Sequence, residues 1–147
     1  MMSPAELANL NHESGFNCAQ SVLAVFAEDY GMPLKLALKL ASPFGGGMRM
    51  AATCGALTGA LMALGLACGY SEFDEELKDK SDQLTRELLR RWQKEIGPTD
   101  CKVILGYDVS DPDQRELATQ AGVYDLHCPR CIGKAAEILA QMLAELA

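Results

Sequence analysis

The sequence predicts an all-α protein: a single-domain bundle of about six to seven helices around a central apolar helix at residues 51–68. Leu, Ala and Met dominate over Val, Ile and Thr, which favours helix over sheet. A length of 147 residues suits one hydrophobic core, so residues 1–147 are taken as a single helical domain. The segment Thr53–Gly69 carries no charge. A helix that is apolar on every side has to be covered on every side, which makes it the centre of the bundle.

A membrane span is the alternative interpretation of this central segment, because about 20 uncharged residues can cross a bilayer. The segment begins with several glycines and threonines, and neither an aromatic belt nor a Lys/Arg cluster flanks it. We therefore expect a buried helix and no membrane insertion. Gly55 and Gly59 are four residues apart, which predicts a second helix backbone packed closely against this one.

Capping residues predict where the other helices begin. Ser3-Pro4 starts the first helix, Asn17 caps the second, and Asp111-Pro112 opens a late one. Thr99 is the expected cap of a short helix. The last helix is predicted to begin at Cys128-Pro129 and to run to the C-terminus, since proline favours the first helical turn.

The charge balance excludes several classes of partner. A net charge of −7 argues against nucleic acid and anionic membrane surfaces, both of which require clustered Lys and Arg. The N-terminal residues show no basic region followed by an apolar one, so no secretory signal is expected and the predicted location is cytoplasmic. In a reducing compartment, six cysteines favour metal binding or redox activity over a structural disulfide framework.

Four cysteines fall near the N-terminal end of a predicted helix, where unpaired backbone N–H groups and the helix dipole lower a thiol's pKa. The thiolate is the form that binds a metal or attacks a disulfide. These candidate redox or metal residues are Cys18, Cys54, Cys101 and Cys128.

Several other residues are candidates around such a site. Cys131 and His127 are additional candidates beside Cys128, whereas Cys68 lies roughly 21 Å along the helix from Cys54 and is expected to be a buried apolar residue. Arg49 could balance the charge of clustered thiolates. The residues expected to support the site are Asn17, Gly45, Gly46, Gly47, Arg49, Gly55 and Gly59.

Two motifs carry a resemblance to a known family. Residues Gly15–Val22, and Phe44–Met48 followed by Cys54–Gly59, resemble the C_GCAxxG_C_C family of putative redox-active proteins. The resemblance implies that Cys18 and Cys54 are the first two family cysteines, with Cys101 and Cys128 as the third and fourth. It implies redox activity or a cysteine-held centre, and no named substrate.

Three functions stay open at this point. The first is a small redox protein whose four candidate cysteines hold a metal centre, iron–sulfur ahead of zinc, for electron transfer or redox sensing with an unidentified partner. The second is a thiol–disulfide redox protein without a cofactor, using the pairs Cys128/Cys131 and Cys18/Cys54. The third is a zinc-stabilised helical binding module. The amphipathic C-terminal helix is also compatible with a homodimer.

Overall fold

Eight α-helices and no β-strand make up the computed structural model, which describes residues 1–147. This confirms the all-α prediction, although the helices are slightly more numerous than expected. In chain order they are α1 (Pro4–Glu13), α2 (Cys18–Phe26), α3 (Leu34–Ala41), α4 (Gly55–Cys68), α5 (Glu75–Glu95), α6 (Cys101–Leu105), α7 (Pro112–Ala121) and α8 (Val123–Leu146).

Helix α4 occupies the centre of the bundle, as predicted for the uncharged segment. It packs against α2, α5 and α8, and it buries Leu57, Ala60 and Leu64 among them. It begins at Gly55 and not at residue 51, because residues 47–51 form a separate turn with left-handed backbone angles. No helix combines the length and the apolar character that crossing a membrane requires.

Helices α2 and α4 cross at very short range. A Cβ on Gly59 would lie 2.6 Å from the carbonyl oxygen of Ala19, and one on Gly55 would lie 3.1 Å from the Cβ of Cys18. Neither position can accept a side chain without moving α2. The close approach predicted from these two glycines is therefore found, and it brings the start of α2 against the start of α4.

The interior is divided into two apolar clusters. The larger lies among α2, α4, α5 and α8 and includes Trp92, Leu23 and Leu139. The smaller lies beneath α6 and α7 and includes Leu105 and Val109. Cys128 packs against both clusters, so it marks the seam between them.

The predicted start of the last helix is wrong. Helix α8 begins at Val123 and continues through Pro129, so Cys128 lies inside the helix and does not cap it. Gly122, at φ 71°, ends α7 and leads directly into α8, and this left-handed residue is the stronger break. Pro129 removes a backbone donor for the carbonyl of Asp125, but Asp125 is exposed, so water can satisfy that carbonyl.

Candidate functional site

A cavity of about 250 Å³ opens between the two apolar clusters, and five of the six cysteines line it. They are Cys18, Cys54, Cys101, Cys128 and Cys131. Cys68 lies at the other end of α4, half-buried against the larger cluster, and does not reach the cavity. The structure thus brings the four predicted cysteines together and adds Cys131, which the sequence marked as an additional candidate.

Cys18 is positioned by the cap of α2. The Asn17 side chain accepts a hydrogen bond from the backbone N–H of Gln20, and the Gln20 side chain accepts one from Asn17, which completes a capping box. Asn17 also donates to the carbonyl of Ser42 at 3.0 Å. This bond connects the start of α2 to the end of α3, and it fixes Cys18, the first residue of α2, near the glycine loop, Gly45–Gly47.

Two backbone hydrogen bonds hold Cys54 and Cys101 at the same place. The N–H of Cys54 donates to Thr99 at 2.8 Å, and the N–H of Cys101 donates to Ala52 at 2.6 Å. They form an isolated antiparallel bridge between the segments that lead into α4 and α6. Both thiols consequently stand at helix starts, as predicted, although Asp100 and not Thr99 occupies the cap position of α6.

The glycine loop folds into a left-handed turn at the edge of the cavity. Gly46, Gly47, Met48 and Arg49 all have φ between 58° and 61°. A Cβ on Gly47 would lie 2.5 Å from the backbone nitrogen of Ala52, so only glycine fits there. Met48 and Arg49 adopt the same region with side chains, at a cost of about 1–2 kcal/mol each. The left-handed backbone angles therefore extend beyond the glycines.

The buried thiols of Cys54 and Cys131 form a donor–acceptor pair. The Cys131 thiol and the backbone N–H groups of Ala56 and Leu57 stabilise the Cys54 thiolate, and they lower the pKa of Cys54 despite its burial. The same interaction raises the pKa of Cys131 far above its ordinary value, with burial adding to the effect. In this pair the Cys131 thiol is the hydrogen-bond donor and the Cys54 sulfur is the acceptor.

Cys18 and Cys128 form a second pair, in which the Cys18 thiol is the donor and the Cys128 sulfur is the acceptor. The Cys18 thiol lowers the pKa of Cys128, and donation to Cys128 together with burial raises that of Cys18. Cys101 has no thiol partner of this kind, and burial raises its pKa to about 12. The five thiols are therefore not equivalent, and only Cys54 and Cys128 have a lowered pKa.

The remaining polar lining of the cavity is cationic or neutral. It consists of Arg49, Arg115, His12, Asn17 and Tyr124, and it contains no carboxylate. His127, an additional candidate from the sequence, is half-buried and does not line the cavity.

Sequence reasoning missed two of these lining residues. Tyr124 lies one turn before Cys128 on α8. This proximity could not be predicted, because the last helix was expected to begin only at Cys128. No sequence signal marked Arg115. Burial raises the pKa of Tyr124, and the positive charges of Arg115 and Arg49 oppose that rise, so both guanidinium groups lie on the Tyr124 side of the cavity.

The cavity thiols do not have the arrangement of a single-ion metal site. No three His, Cys, Asp or Glu side chains stand together closely enough to hold one metal ion. A single tetrahedral zinc, which requires four ligands at about 2.0–2.3 Å, does not fit the thiols as they are arranged. The thiols surround an open space instead of converging on a point.

Fold and site together define an all-helical protein with five thiols around one cavity. The family model described as putative redox-active protein (C_GCAxxG_C_C) matches residues 16–142, and the chain belongs to this family. The match covers all five cavity cysteines. No curated protein and no solved structure matches the chain significantly.

Proposed function

We propose that the protein is a thiol–disulfide redox protein in which Cys54 attacks a disulfide and Cys131 resolves the product. The observation that supports this most directly is the opposed pKa shift of the two adjoining thiols, one lowered and one raised. An attacking cysteine is reactive only as its thiolate, whereas a resolving cysteine stays protonated until the mixed disulfide has formed. This pairing replaces the Cys128/Cys131 pair considered from the sequence, because Cys131 interacts with Cys54 across the α4–α8 contact.

The reaction follows from these two states. The Cys54 thiolate attacks one sulfur of the substrate disulfide, which forms a mixed disulfide and releases the other half as a thiolate. Cys131 then loses its proton to that thiolate and attacks the Cys54 sulfur. The second half leaves as a thiolate and takes a proton from water. The substrate is reduced by two electrons, and the protein is oxidised to a Cys54–Cys131 disulfide.

Trapping the mixed disulfide tests this assignment. When the reduced protein is mixed with hydroxyethyl disulfide, Cys131→Ser should accumulate a stable mixed disulfide on Cys54. Cys54→Ser should form no mixed disulfide on Cys131. Cys128→Ser is the matched control, because it removes the other thiol whose pKa is lowered. This variant should still form the Cys54–Cys131 disulfide. Intact mass and peptide mapping identify the adduct. Trapping on Cys128 in place of Cys54 would refute the assignment.

An iron–sulfur centre is the second candidate function. It is supported by the same five thiols lining one cavity of about 250 Å³, since thiolates are the ligands of iron–sulfur clusters. Cys18, Cys54, Cys101 and Cys128 would hold it, with Cys131 available as an alternative ligand. When bound, such a cluster would supply one-electron transfer. Iron and acid-labile sulfide in protein purified without oxygen would favour this candidate over the thiol–disulfide function.

A further inference from the structure

The charge of the cavity lining is opposite to that of the whole protein. The chain has 20 Asp and Glu against 13 Lys and Arg, yet the cavity has two arginines and no acidic residue. Neither arginine has a carboxylate partner: all six ion pairs of the chain lie on α5 and α8. Two guanidinium groups without a carboxylate partner therefore line the same cavity as the Cys54 and Cys131 thiols and are available to a ligand.

The backbone around each arginine holds it at the cavity. Arg49 follows the left-handed turn, and its Nη1 lies 3.5 Å from the place a Cβ of Gly46 would occupy, so the guanidinium folds back over that turn. Arg115 of α7 donates from Nε to the carbonyl of Val109 at 2.9 Å. Arg115 also donates from Nη2 to the carbonyl of Ser110 at 3.5 Å, which leaves its Nη1 free, and Arg49 makes no hydrogen bond to the protein.

The burial of the reactive pair limits the size of the substrate. Cys54 is 7% exposed and Cys131 is 2% exposed, so a disulfide on the surface of a folded protein cannot reach them. The cavity of about 250 Å³ lies just below the usual range for small-molecule sites. A substrate that reaches Cys54 must therefore be a small molecule that enters the cavity.

We propose that the substrate is a low-molecular-weight disulfide carrying a carboxylate, with the carboxylate bound by Arg49 and Arg115 while one sulfur reaches Cys54. This rests on the thiol–disulfide function proposed above and names its substrate class. Guanidinium groups match carboxylates in charge and geometry. The reaction is the two-electron exchange already described, with RSSR converted to two RSH and the Cys54–Cys131 dithiol to its disulfide.

A charge series of small disulfides tests the proposal. Reduced protein is mixed with dithiodipropionate (anionic), hydroxyethyl disulfide (neutral) or cystamine (cationic), and the rate constant for formation of the Cys54–Cys131 disulfide is measured. Each variant is compared with the wild type for the same disulfide, so that the intrinsic reactivity of the reagent cancels. Arg49→Gln should slow the anionic reagent about fivefold, as expected for loss of one exposed ionic contact. The neutral reagent should be unaffected.

Two further variants separate charge recognition from damage to the fold. Arg115→Lys keeps the positive charge and should keep most of the preference for the anionic reagent. Arg86→Gln removes an exposed arginine of α5 that is remote from the cavity, and it should change none of the three rates.

The outcomes distinguish the two proposals. If Arg49→Gln slows all three reagents equally, or none of them, the substrate class is refuted while the thiol–disulfide function stands. If the wild type forms no Cys54–Cys131 disulfide with any reagent, the function itself fails, and the substrate class fails with it.

Discussion

The pKa values of Cys54 and Cys131 shift in opposite directions, because the Cys131 thiol donates to the Cys54 sulfur inside a buried site. The backbone N–H groups at the start of α4 add to the stabilisation of the Cys54 thiolate, which is the effect expected at a helix N-terminus. An isolated cysteine at either position would lack this polarity. The reactivity of Cys54 is thus a property of the pair and not of its sequence position alone.

Alkylation of Cys54 should report this polarity directly. A lowered pKa means that Cys54 is thiolate at lower pH than an ordinary cysteine, whose pKa is about 8.5, so its alkylation profile should lie on the acid side of that value. Cys131→Ala removes the thiol donor, and the profile should move to higher pH. Cys131→Ser retains a hydroxyl donor and should move it less. The rates can be followed by mass spectrometry with iodoacetamide. Identical profiles for the wild type and Cys131→Ala would contradict the donor role.

Cys101 should show the opposite behaviour, because burial raises its pKa to about 12. Its proton is held more tightly in the folded state than in the unfolded one, so it stabilises the fold below about pH 8.5 and this contribution is lost as pH rises towards 12. The stability difference between wild type and Cys101→Ala should therefore shrink on going from pH 7 to pH 10. Urea unfolding with a reductant present measures it. A difference that grows with pH would show that the pKa is not raised.

At the scale of elements, the site depends on the crossing of α2 and α4. The absence of a side chain at Gly59 lets the backbone of Ala19 reach α4, and this sets the position of Cys18 relative to Cys54. Contact between helix backbones of this kind is intolerant of added volume, since backbone atoms cannot rotate away as a side chain can.

Two glycine substitutions on α4 test the crossing. Gly59→Ala should destabilise the protein by about 1–3 kcal/mol, because the new Cβ would lie 2.6 Å from a carbonyl oxygen of α2. Gly65→Ala on the same helix meets no atom within 4 Å and should stabilise it by up to about 1 kcal/mol through helix propensity. Urea denaturation of both variants gives the comparison. Equal effects would mean that the crossing is looser than described.

The start of α8 shows where reasoning from local signals fails. Cys128-Pro129 has the pattern of a helix start, and proline inside a helix costs about 3 kcal/mol. Apolar residues before and after Pro129, among them Val123 and Ile132, nevertheless pack into the two clusters and keep the helix continuous. Tertiary burial outweighed the local preference, and the position of Tyr124 at the cavity could not be predicted once the helix start was misplaced.

At the scale of the whole molecule, composition and the uncharged run were enough to predict the helical class and the central helix. The placement of Cys18, Cys54 and Cys101 at helix starts could also be predicted from the sequence, because capping residues act locally. The pairing of the thiols could not. It depends on how α2, α4 and α8 approach one another, and packing of distant elements leaves no local signature in the chain.

The cavity follows from the same packing. It lies at the seam where the smaller apolar cluster, carrying Cys101, meets the larger one, carrying Cys54 and Cys131. A left-handed turn closes one side of it. The proposed redox chemistry would accordingly take place where no single element controls the geometry.

The most direct test of the central claim is to map the first disulfide that forms when the fully reduced protein is oxidised by hydroxyethyl disulfide without metal present. The account predicts a link between Cys54 and Cys131, found as one cross-linked peptide pair joining α4 to α8. A first link between Cys128 and Cys131, or adducts scattered over the cysteines with no preferred pair, would contradict it.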